Sequence, residues 1–299
     1  MTAPTQSPQR MPELNNALGT YRTLRLGMVM LVLMLGVGIL LDAGRHDWCF
    51  QTSISAYYFT AIHAVFLGMV CALGACLIAY KGNSDTEDVL LDTAGFLALI
   101  VAFVPTARPG DPGSACEPYG FEAGLSDAAI RTSIAALFIV TVVALIGQIV
   151  VGRLTRSIEP WTLLGNVARV IGGVIAITVF VMYFFPDFFA RYAHGIAAVT
   201  MFVLIGVVVA CNAYLAAKQY GTWRNKYSII YGVIAIAMIL TAALVVVLHL
   251  WARWPYAIIF LESALLFEFA LFWIVQTVEL WNIDDRRCMI PPAQKVAPL

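Results

Sequence analysis

Eight apolar runs, each about as long as a bilayer core is thick, constrain this chain more than any other feature. A helix needs about 20 apolar residues to cross a hydrocarbon layer of ~30 Å. The runs fall at 24–43, 57–80, 89–106, 130–152, 164–185, 192–217, 228–250 and 257–280. With 61% hydrophobic residues and a mean hydropathy of +0.84, a water-soluble fold could not hide so much apolar surface. Backbone groups facing lipid must pair within their own segment, so the runs are expected to be helices. None alternates apolar with polar residues as barrel strands do. The expected fold is all-α: a polytopic integral membrane bundle of eight transmembrane helices over residues 21–281. Polar stretches at 1–20 and 282–299 read as cytoplasmic tails, the first disordered and without the apolar core of a signal peptide.

Orientation follows from the basic residues. Of the 18 Lys and Arg, only Arg45, Arg108, Arg131, Arg191 and Arg253 fall in the segments that alternate with the N-terminal side. The excess on the other side predicts that both termini are cytoplasmic, in the cell inner (plasma) membrane. The formal net charge is zero, so no basic field points to nucleic acid. This topology sorts the six cysteines. Cys71, Cys76 and Cys211 lie inside spans, and Cys288 lies in the cytoplasmic tail. Cys49 and Cys116 are left in the first two outer loops, in an oxidising compartment, and are expected to form a disulfide.

Ionisable side chains inside a span are costly, each about 2.5–3.5 kcal/mol on insertion scales, so each needs a reason. The stretch CFQTSISAYYFTAIHAVF (49–66) gathers hydroxyls and an imidazole at the mouth of the second span. On the predicted topology Ser53, Ser55, Tyr58 and His63 share the outer level with His194, His249 and Glu262. The expectation is an outward-facing polar pocket that binds a small polar ligand or a lipid headgroup, or supports a membrane partner. Hydroxyls at this position also serve as helix caps, and His and Tyr favour the interface without further function. Asp92, Arg169 and Glu279 form an inner polar set, with Asp92–Arg169 as one expected ion pair. Ion-coupled transport is an alternative reading, because Glu262, Glu268 and Asp92 all lie at membrane depth. A shift of 134 residues aligns Phe50, Ala56, Tyr58, Ile62, Ala64, Val65, Ala79 and Tyr80 with identical residues. This suggests a parallel repeat of two four-helix halves, 24–152 and 158–286.

No Walker loop, HExxH, GxSxG, CxxC or dinucleotide fingerprint occurs, so no catalytic residue, metal ligand or cofactor is assigned by motif. The segments SISAYYFT, LIAYKG, LLDTAGFLALIVAFVPT and FLESALLFEFALFWIVQ resemble a widespread group of uncharacterised bacterial polytopic membrane proteins. There SISAYY precedes the second span and a FWLE-like segment opens the last. The resemblance covers roughly residues 50–280 and implies a compact helical bundle, with no activity to transfer. The chain also resembles, more weakly, the superfamily of alkaline ceramidases, haemolysin III-like and adiponectin-receptor-like proteins. That resemblance would imply zinc and an amidohydrolase, with Ser55 and Asp92 as elements of the metal site. The sequence departs from the pattern: Phe59 stands four residues after Ser55, and Ala198 four after His194, where the superfamily has histidines.

Overall fold

A computed structural model describes residues 10–106, 127–155, 162–251 and 256–283. Every described element is helical. The order is α1 (Arg10–Arg45), a short 3-10 helix (Ile54–Phe59), α2 (His63–Ala79), α3 (Asp85–Phe103) and α4 (Asp127–Thr155). Then follow α5 (Leu163–Met182), α6 (Pro186–Tyr220), α7 (Lys226–Trp251) and α8 (Ala257–Glu279). The eight α-helices match the eight apolar runs. Two expectations shift. α1 begins at Arg10, well inside the segment read as a disordered tail. α2 begins at His63 rather than Tyr57, because residues 54–59 turn aside into the 3-10 helix.

Local chemistry sets the ends. Ser84 caps α3, its Oγ accepting the Glu87 N–H at 3.2 Å, and Asp85, Glu87 and Asp88 add negative charge to the first turn. Thr162 caps α5 by accepting the Gly165 N–H at 2.9 Å. α6 opens on Pro186 and stops at Gly221, whose φ of 73° is left-handed.

Six helices close a ring: α1 packs on α2, α2 on α3, α3 on α6, α6 on α7, α7 on α8, and α8 back on α1. Arg22 ties the ends of the chain path together, donating from Nε to the Trp281 carbonyl at 2.7 Å. α5 packs outside the ring on α3 and α6, and α4 on α3. The ring interior buries Phe66, Leu73, Leu91, Val208, Phe272 and Trp273. The outside is apolar as well: Val140 and Val143 on α4, Val170 and Ile177 on α5, and Ile236 and Leu240 on α7 are exposed. A surface of that kind is stable in lipid, not in water. Among the described residues, five helical stretches are long and apolar enough to cross a membrane: Leu18–Arg45, Leu163–Met182, Pro186–Tyr220, Lys226–Leu244 and Ala257–Glu279. Two shorter apolar stretches, His63–Ala79 and Ala128–Val143, accompany them. The molecule is therefore a multi-pass membrane protein.

Candidate functional site

One end of the ring is roofed by the segment between α1 and α2. Ser53 caps the 3-10 helix, its Oγ accepting the Ala56 N–H at 3.1 Å, and Thr60 closes it by donating to the Tyr57 carbonyl at 3.1 Å. All six residues from Ile54 to Phe59 are buried. Two contacts with α8 hold the roof down. The Ile259 N–H donates to the Thr52 carbonyl at 3.1 Å, and the Ile54 N–H donates to Glu262 Oε2 at 2.6 Å. A carboxylate that accepts a backbone N–H in this way satisfies a donor that a 3-10 helix start leaves open.

Ser55 points from this roof to α6. Its Oγ lies 2.8 Å from His194 Nε2, and His194 Nδ1 lies 2.6 Å from the Val104 carbonyl at the C-cap of α3. Both side chains are buried, each 7% exposed. The Val104 carbonyl can only accept, so the neutral imidazole carries its proton on Nδ1. The bare Nε2 then accepts the Ser55 hydroxyl.

Below the roof lies a cleft. Ser55 and Glu262 stand at one end of it. Its walls are apolar: Leu35 on α1, Phe66, Val70, Leu73 and Leu77 on α2, and Ala98 and Val101 on α3. α6 and α8 complete it with Ala198, Phe202, Ile205, Leu266 and Phe269. From Phe66 to Leu77 the cleft follows α2 for roughly 16 Å, about half a hydrocarbon core.

The residues expected in an outer pocket thus divide. Ser55 and Glu262 line the cleft, and His194 is tied to it through its bond with Ser55. Ser53 is a cap. His63 turns to its own chain, its Nδ1 on the Tyr58 carbonyl and its ring edge-on to that of Tyr58 at 4.4 Å. It does not line the cleft. The His249 side chain, Cys116 and Cys288 lie outside the described residues. The described free thiols are Cys71, Cys76 and Cys211, and Cys49 is not among them.

At the opposite end the expected Asp92–Arg169 pair is replaced. Arg169 grips Asp85 with both Nη atoms, and Thr162 adds its N–H and hydroxyl to Asp85 Oδ2, each at 3.2 Å. Asp85 is seven residues, two turns, before Asp92, so it shares the helix face but reaches the start of α5. Burial pushes the Asp85 carboxyl up, but the Arg169 and Thr162 donors outweigh it and hold it below the usual aspartate range. Glu279 accepts the Tyr231 hydroxyl at 2.6 Å.

The same end holds a polar network whose members are scattered along the sequence. Arg25 Nε donates to the Tyr80 hydroxyl at 3.0 Å, and Tyr80 to Gln276 Oε1 at 3.1 Å. Gln276 Nε2 donates to Asn212 Oδ1 at 3.0 Å, and Asn212 Nδ2 to Glu87 Oε1 at 2.8 Å. The Asn83 N–H donates to Glu87 Oε2 at 2.8 Å. Arg25, Tyr80, Glu87, Asn212 and Gln276 are at most 2% exposed. The chain of bonds links α1, the α2–α3 turn, α3, α6 and α8. Asn212 and Gln276, amides within long apolar runs, were its one visible signal.

Among the described residues no group of three or more His, Cys, Asp and Glu side chains is gathered as a metal would require. Asp92 precedes Val104 by 12 residues, roughly 18 Å along the helix. It therefore does not meet Ser55 and His194 as the resemblance to the ceramidase-like superfamily implies. Comparison with protein-family models, curated proteins and solved structures finds no match for this chain.

Proposed function

We propose that this protein binds an amphipathic membrane lipid, with its polar head at Ser55 and Glu262 and its chain in the apolar cleft. The observation that carries the reading is the placement of a carboxyl and a hydroxyl at one end of an otherwise apolar, elongated cleft. Such a site offers hydrogen bonds to a headgroup and a dry wall to a hydrocarbon tail. All eight helices cross the inner (plasma) membrane in this reading, with both termini cytoplasmic and the Ser55 end in the outer leaflet. The excess of basic residues on the terminal side supports that orientation. Ion-coupled transport is less well supported. The cleft walls between Glu262 and the Glu87 network, among them Leu73, Leu77, Ile205 and Phe269, are apolar.

Native mass spectrometry of protein released from mild detergent tests the reading. The wild type is expected to retain a lipid adduct, and Ala198→Phe, which fills the cleft, to lose it at least about tenfold, a change of 1.4 kcal/mol. Equal retention by both proteins would remove the cleft as the binding site.

The Cys49–Cys116 bridge belongs to the same proposal, because it would tie the long loop after α3 to the roof. It is supported by the expected outer placement of both residues. Denatured protein alkylated without reductant is expected to take up two labels fewer than protein reduced first. An unchanged mass would refute the bridge.

A further inference from the structure

We propose that Ser55 is a nucleophile, activated by His194, that takes the acyl group from an ester of the lipid held in the cleft. The proposal rests on the lipid-binding reading, because the cleft must deliver the ester to Ser55.

Three observations carry it. The first is the direction of the hydrogen bonds. The Val104 carbonyl fixes the His194 proton on Nδ1, so the Ser55 hydroxyl donates to a bare Nε2 at 2.8 Å. That is the arrangement in which an imidazole serves as general base for a serine. A backbone carbonyl at the end of α3 here does the orienting that a carboxylate does in a triad. Being uncharged, it stabilises the imidazolium less, so slow turnover is expected. The second is access. Ser55 lines the cleft, and His194, which does not line it, is bonded to the Ser55 hydroxyl. The third is support. Glu262 holds the Ile54 N–H at 2.6 Å, one residue before Ser55, and so acts as a positioning residue for the roof.

The chemistry closes with water as co-reactant. Ser55 Oγ attacks the ester carbonyl carbon while its proton passes to His194 Nε2. The bond from that carbon to the alcohol oxygen breaks, and His194 returns the proton to the departing alcohol. Water then adds to the acyl carbon and gives a proton to His194, and Ser55 leaves with that proton restored. The products are a carboxylic acid and the alcohol portion of the lipid. No redox step occurs.

Full-length protein in detergent is treated with a long-chain alkyl fluorophosphonate and read by intact mass and peptide mapping. One adduct, on Ser55, is expected in the wild type and none in Ser55→Ala. His194→Gln is expected to lower the labelling rate about 100-fold, within the usual range for a lost general base. Folded wild type without an adduct on Ser55 overturns the proposal, and this outcome depends on no variant. An unchanged rate in His194→Gln overturns the assignment of the base. If lipid is retained while Ser55 resists the probe, the nucleophile falls and the binding site stands. If neither is seen, both fall.

Discussion

Replacing Glu87 by alanine is expected to destabilise the folded protein by about 3–5 kcal/mol, the usual cost of breaking a buried charged network at one member. Glu87 is fully buried, and its two oxygens accept from Asn212 and from the Asn83 N–H. Alanine leaves those donors facing apolar neighbours. It also leaves Arg25, 2% exposed at the far end of the chain of bonds, without the carboxylate that balances it. Glutamine should cost less, about 1–3 kcal/mol, but not nothing. Its oxygen can keep the Asn83 N–H, but its amide must then face Asn212. Asn212 would have to turn its oxygen toward Glu87 and give up the bond from Gln276 Nε2. The frustration therefore passes along the network rather than staying at one site. Lys81 offers the contrast. It pairs with Asp88 at 3.5 Å but is 67% exposed, and Lys81→Ala is expected to leave the melting curve unchanged within error. Thermal unfolding in detergent, followed by intrinsic fluorescence, reads all three variants. A Glu87→Ala protein that melts with the wild type would show that the network carries no net stability.

The helices were legible because apolar length alone predicts them in a bilayer. The last run, placed at 257–280, is observed as Ala257–Glu279. The start of the second was misplaced for a physical reason. Tyr57, Tyr58 and Phe59 are as apolar as any helix opening, and what turns them aside is tertiary. The Ile54 N–H and the Thr52 carbonyl engage the Glu262 carboxyl and the Ile259 N–H of α8, far away in sequence. The site shows the same limit. Depth along each helix was readable, so Ser55, His194 and Glu262 fell at one level. The rotation of each helix was not readable, so His63 was placed with them although its imidazole bonds to the Tyr58 carbonyl. Glu87 gives no such signal, because a charge near a helix start ordinarily faces water. Only the ring closing over it, with Asn212 and Gln276 arriving from α6 and α8, makes it part of a core. The Arg169 partner was missed by two turns on the correct face, because nothing in the sequence states how far α5 is offset along α3.

Substituting leucine at Gly95 is expected to give the largest packing defect in the ring, with loss of the folded monomer or a sharply lowered melting midpoint. α2 and α3 touch backbone to backbone at Gly74 and Gly95. A Cβ added at Gly95 would meet the Gly74 carbonyl oxygen at 2.6 Å, and one at Gly74 would meet the Gly95 oxygen at 2.8 Å. A side-chain tip can swing away from such a clash, but a helix carbonyl cannot, so the helices must separate. In lipid the cost is not softened by a hydrophobic drive, because close contact of small residues is itself what holds helices together. Even Gly95→Ala should cost about 1–3 kcal/mol, as for other overpacked sites. Gly36→Ala is the control: nothing lies within 4 Å of its added Cβ. Its removal of a flexible residue from a helix should be neutral or stabilising by up to about 1 kcal/mol. The Gly95 effect should reach the cleft as well as the fold. α2 supplies Phe66, Val70, Leu73 and Leu77 to one wall, and α3 supplies Ala98 and Val101 to the next. Separating the two helices widens the cleft at its seam. Gly95→Ala, if it folds, should therefore lose retained lipid in native mass spectrometry while Gly36→Ala keeps it. Melting and lipid retention both at wild-type values in Gly95→Ala would show that the helices can part there without cost, and that their close approach does not shape the cleft.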